Sequence, residues 1–109
     1  MKTEEYDIQV VADTIGLDKD TMLMLLEEFL NVLDEEIILL ANAVSDGDAD
    51  MVTHVAHKMK GAAANMMVED LRKYSCDLQS ADKADTDLVA DLLGKIQKSY
   101  SAFRALFRS

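Results

Sequence analysis

The chain has 109 residues, half of them hydrophobic, which is enough for one ordinary domain with a real core and too few for two. A formal charge of −10 sets it against nucleic-acid phosphates and anionic membranes and toward a positively charged partner surface. With no proline and only four glycines the composition favours long helices over a turn-rich β fold, and a lone cysteine, Cys76, excludes an internal disulfide and suits a reducing cytoplasm.

In chain order, the segment EEYDIQVVADTI places Tyr6, Val10 and Val11 on one side and stops at Gly16, as a short lid helix would. Its acidic start does not resemble a signal peptide, and no later apolar run reaches the ~20 residues that span a bilayer. Asp18 or Asp20 can cap a second helix through about Ala43. There Met22, Leu25, Leu26, Phe29, Leu33, Ile37, Leu40 and Val44 recur every three or four residues. The face carrying Glu27, Glu28, Asn31, Asp34 and Glu35 reads as solvated. Gly47 breaks the pattern, and Asp48 or Asp50 can cap a third helix to about Met66. A fourth, over roughly 68–82, uses Val68, Leu71, Tyr74, Leu78 and Ala81. A fifth, over about 86–107, turns Val89, Leu92, Leu93, Ile96, Tyr100, Phe103 and Phe107 inward. Short connections make neighbours antiparallel. The expectation is an all-α domain over 1–109, an up-down-up-down antiparallel four-helix bundle with a short N-terminal lid helix. The seven methionines suit gap-filling in such a core.

The only two histidines lie in the third helix, in THVAHKMKGAAA. At ~100° per residue, Val55, Ala56, Met59, Ala63 and Met66 fall within about 60° of Val52 and define the buried stripe. His57 falls near 140° and His54 near 200°, so both stand outside the core. Helical side chains lean toward the N-terminus, so Gly61, one turn after His57, leaves that imidazole uncovered, with Ala64 one turn further. Lys60 follows three residues later and about 60° toward the core, while Lys58 points to another side. With Arg72 and Lys73 these make four of eleven basic residues within 57–73 of an acidic chain. Such local charge would stabilise an added phosphoryl group. On spacing alone, a phosphoryl-bearing histidine competes with an ordinary solvated face.

The stretch AHKMKGAAANM resembles the signature of histidine-containing phosphotransfer (HPt) domains: a histidine, any residue, an aliphatic residue, then Lys-Gly and small residues. Here these are His57, Met59, Lys60, Gly61, Ala62, Ala63 and Ala64. The helix layout over about residues 5–108 resembles that family too, and LRKYSCDLQ resembles its following helix. Met67 departs from it, since many members place a glycine near this turn. The resemblance implies a phosphorelay intermediate whose His57 accepts a phosphoryl group from a receiver-domain aspartyl phosphate and passes it to another receiver. Lys60 would offset charge on the phosphoryl oxygens. Asp50, Thr53, His54, Lys58, Gly61 and Ala64 would form the docking face.

No cofactor is expected on the chain itself, Mg²⁺ belonging to the receiver, and the absence of a phosphate-binding glycine loop argues against autonomous kinase activity. A monomeric cytoplasmic protein is expected, and the starting Met with a bundle-length chain favours a free-standing one. Two rivals are a metal-binding bundle using Asp50, His54 and His57, and a helical adaptor that binds signalling partners without carrying phosphate.

Overall fold

A computed structural model describes residues 1–107; positions 108 and 109 of the expected domain lie outside the described residues. A single turn of 3-10 helix at Thr3–Glu5 precedes five α-helices: α1 Ile8–Ile15, α2 Lys19–Asp46, α3 Ala49–Asn65, α4 Glu69–Ser80 and α5 Thr86–Ala105. The described chain is all-helical. Around the core α3 packs most extensively on α4, α2 packs on α3, α4 on α5, and α5 returns to α2, while α1 rests on α2. Its 28 residues, at ~1.5 Å each, carry α2 along the whole 44 Å length of the molecule.

Local chemistry sets the helix ends. Asp7 interrupts the expected first helix, because its carboxylate accepts from the backbone N–H groups of Gln9 and Val10 and so starts α1 four residues later. Asp18, Asp48 and Asp85 cap α2, α3 and α5 in the same way. The Thr21 backbone N–H, bound to Asp18, holds that carboxyl below the usual range. Its capping contribution is therefore complete above the ordinary aspartate range and is lost only as pH falls through the lowered value. Gly16 and Gly47, at φ +87° and +68°, close α1 and α2 in the left-handed region.

Met22, Leu26, Phe29, Leu30, Leu33 and Leu40 of α2 meet Val52, Val55, Ala56, Met59 and Ala63 of α3, Leu71 and Leu78 of α4, and Val89, Leu92, Ile96, Tyr100 and Phe103 of α5. Leu25 departs from its expected core position and is 39 % exposed. It lies about 100° from Leu26 and shares a rim with Val32 and Leu39, each seven residues on and each exposed. Val10 likewise faces solvent, and Val11 with Ala12 takes the buried side of α1. Asp34 is not on a solvated face. It receives Arg104 Nε at 2.9 Å and the Tyr100 hydroxyl, which also reaches the Leu30 carbonyl, and so ties α2 to α5.

The N-terminal residues clasp the turn between α3 and α4. Thr3 Oγ1 donates to Asp70 at 2.8 Å and Ser99 Oγ to the same carboxylate at 2.9 Å. The Tyr6 hydroxyl donates to the Met66 carbonyl at 2.8 Å, and burial pushes it up to about 12. Between them Met67 adopts φ +59°, the conformation that a glycine would hold without strain. That strain costs ~1–2 kcal/mol, and the half-buried Met67 side chain returns part of it by packing on the core. Met67→Gly is therefore expected to change stability by less than ~1 kcal/mol, whereas Met66→Ala, which empties a buried position, should cost ~2–5 kcal/mol. Urea unfolding of the two variants checks the contrast.

Candidate functional site

The α3 stripe of Val52, Val55, Ala56, Met59, Ala63 and Met66 is buried as its spacing implies, which turns His54, His57, Gly61 and Ala64 outward. His57 occupies the centre of the 17-residue helix, so it lies beyond the first and last turns to which the helix dipole is confined. A Cβ added at Gly61 would meet nothing within 4 Å, so the surface beside the imidazole is open.

The imidazole has a partner that periodicity does not reveal. Gln79 of α4 crosses the seam between the helices and brings Nε2 to 3.1 Å from His57 Nδ1. With the amide N–H donating, the ring proton sits on the far nitrogen, Nε2. A half-turn of the amide presents Oε1 instead, so that Nδ1–H donates and Nε2 exposes a lone pair to solvent. A signal for this pairing does exist in the chain. His57 and Gln79 stand at nearly equal distances on either side of the α3–α4 turn, as residues facing each other in an antiparallel pair must.

The expected docking residues divide by occupation. Asp50, His54 and Ala64 are exposed. The Thr53 hydroxyl donates back to the Ala49 carbonyl at 3.0 Å. Lys58 is held by Glu36 of α2, Nζ to Oε1 at 2.8 Å, and Glu36 is itself 7 % exposed, a buried charge that sequence reading missed although it falls between Leu33 and Leu40 on the inner stripe. Its second oxygen is buried without a hydrogen-bond partner among the described residues. The basic cluster expected around His57 is also thinner than its spacing suggests. Arg72 bonds Glu69, and Lys73 Nζ lies over the Tyr74 ring. Lys60, half-buried, is the cation of the four left without an ion pair or ring contact among the described residues. A shallow groove lined by Leu25, Glu28, Val32, Ala62 and Asn65 runs along the α2–α3 seam beside this face. Asp50, His54 and His57 do not gather as a metal site: no group of three His, Cys, Asp or Glu side chains does so among the described residues. No described helix is long and apolar enough to cross a membrane.

An all-helical chain that displays an open, amide-tethered imidazole at mid-helix presents a nucleophile that a partner's phosphoryl group could reach. The Hpt domain family model matches residues 24–106, and the chain belongs to that family. Its structure is similar to the crystal structure of histidine-containing phosphotransfer protein B (HptB) from Pseudomonas aeruginosa PAO1, with TM-score 0.79 and 27 % identity over 94 % of this chain and 90 % of that one. No curated protein sequence matches it. Its role is histidine phosphotransfer in phosphorelay signalling, and Hpt proteins exchange phosphoryl groups with receiver domains.

Proposed function

We propose that His57 is the phosphoryl acceptor and donor, taking the group from one receiver-domain aspartyl phosphate and delivering it to another. The observation that carries this reading is the exposed imidazole at the centre of α3, tethered at Nδ1 by Gln79 and bordered by the empty position at Gly61. In the forward step the Nε2 lone pair attacks phosphorus in line. The Nε2–P bond forms as the acyl phosphate P–O bond breaks, and the receiver recovers its carboxylate. Positive charge then develops on the ring, and Nδ1–H donates to the Gln79 amide oxygen. Transfer to the second receiver reverses these changes. Lys60 offsets charge on the phosphoryl oxygens.

Receivers dock on Asp50, Thr53, His54, Gly61 and Ala64 and on the apolar groove toward Leu25 and Val32, a small face suited to partners that must separate. Lys58 contributes from the edge of this face while bound to Glu36. In this reading the chain is a cytoplasmic monomer formed by one domain, its four long helices running up-down-up-down with α1 as lid. It has no autonomous kinase activity and no cofactor, and Mg²⁺ resides on the receiver. Nucleic acid and membrane are not partners.

Incubation with phosphorylated receiver domains tests the reading. Acid-labile, base-stable label mapping to the His57 peptide is expected. Unlabelled protein that still binds receivers would support the adaptor role instead. Gln79→Ala removes the tether and frees the ring to adopt unproductive orientations and tautomers. Single-turnover transfer is expected to fall by about tenfold to a hundredfold, with melting nearly unchanged.

A further inference from the structure

We propose that His54 is a second phosphoryl-recognition group: in its protonated form it hydrogen-bonds the phosphoryl group carried by His57 Nε2, so that the share of phosphoryl held by this chain rises as pH falls. The inference rests on the assignment of His57 as the acceptor. The geometry starts from the tether. Gln79 holds Nδ1 toward α4. The two nitrogens of an imidazole flank one carbon and their lone-pair directions diverge widely, so with Nδ1 held toward α4 Nε2 turns outward and away from it.

At about 100° per residue, Lys60 stands on the α4 flank of His57, from which its long stem extends toward the phosphoryl oxygens, while His54 stands on the other flank, three residues earlier. That is also the direction in which the His57 side chain leans. The group on Nε2 therefore comes over the turn that carries His54. Lys58, the remaining cation of this flank, is committed to Glu36 of α2. His54 itself is exposed and makes no hydrogen bond or ion pair among the described residues.

An imidazolium is a cationic N–H donor, and a phosphoryl group offers nearly two negative charges and three acceptor oxygens. Imidazole changes charge between pH 5 and 8. If the phosphorylated state raises the His54 midpoint, protonation of His54 must favour that state by the same factor. Other charged groups also border this flank. Asp50 lies one turn before His54 and two turns before His57. Glu36 is paired with Lys58, and Lys83, at the α4–α5 turn, donates to the carbonyls of Gln79 and Ala81. His57 is itself an imidazole, so a His54 variant is needed to separate the two histidines.

The test follows both imidazoles by NMR across pH, in the free protein and after charging with a phosphorylated receiver domain or with phosphoramidate. The His54 midpoint is expected to rise by about one unit, a tenfold shift in its protonation equilibrium, when His57 carries the phosphoryl group. A midpoint that does not move overturns the inference while leaving His57 as acceptor. In parallel, the equilibrium partition of phosphoryl between chain and receiver is measured against pH for wild type, His54→Gln and His54→Arg. His54→Gln should flatten the rise toward acid and His54→Arg should hold the high share up to alkaline pH. A His54→Gln profile that superimposes on wild type overturns the proposal. A chain that takes phosphoryl from neither donor, or takes it on His54, overturns the His57 reading and this inference together.

Discussion

Replacing His57 with Gln is expected to lower phosphoryl uptake from a phosphorylated receiver by at least ~10³-fold, because an amide offers no nucleophilic lone pair in place of Nε2. Stability should change by no more than ~0.5 kcal/mol, since the side chain is exposed and supports none of the core. The pairing of these two outcomes is the diagnostic part. A variant that loses transfer and melting together would reveal a structural histidine, and one that keeps transfer would place the acceptor elsewhere. Gly61→Trp supplies the complementary case: the Nε2 lone pair remains but the open surface beside it fills. Its binding to receivers should weaken and its transfer slow, while circular dichroism stays helical. Normal transfer in a folded Gly61→Trp protein would mean that partners approach from another side.

Phe103→Ala should have the largest effect on stability, a loss of ~3–5 kcal/mol. The ring is fully buried and meets Tyr6 at 4.7 Å and Phe29 at 5.6 Å, both edge to face, and Phe107 at 5.2 Å. It thus joins α5 to α2 and to the N-terminal clasp in one contact set. Against a typical total of ~5–15 kcal/mol, such a loss removes a large share of the stability. The melting temperature is expected to fall by more than about 10 °C. Transfer per folded molecule should persist, because His57 and Gln79 belong to α3 and α4. A variant that melts within a few degrees of wild type would show that the aromatic cluster collapses around the vacancy.

The helices were legible because their signals are local. Aspartates at the caps, glycines at two of the ends and apolar residues every three or four positions act within a few residues of where they stand, and they placed His57 outside the core. What escaped the reading acts between helices. Gln79 reaches His57 only because the α3–α4 turn sets an antiparallel register, and Glu36 claims Lys58 because α2 and α3 meet along their full seam. Asp34 looked like one more solvated acid until α5 brought Tyr100 and Arg104 to it. Leu25 falls within the predicted inner stripe because a stripe of period 3.6 does not mark its own edges, which the neighbouring helix defines. The basic cluster near His57 was overcounted for the same reason: proximity along the chain says nothing of which carboxylate or ring each cation will meet. Met67, the departure from the family pattern, takes the left-handed conformation that a glycine would hold without strain.

In the proposed reading the carrier offers one reactive nitrogen, His57 Nε2, on one side of a rod 44 Å long and 21 Å wide. Two receivers cannot occupy that side at once, so the upstream protein must depart before the downstream one arrives. Relay through this chain should then follow ping-pong kinetics, with parallel lines in double-reciprocal plots, and every signal that passes includes one obligatory exchange of visitors.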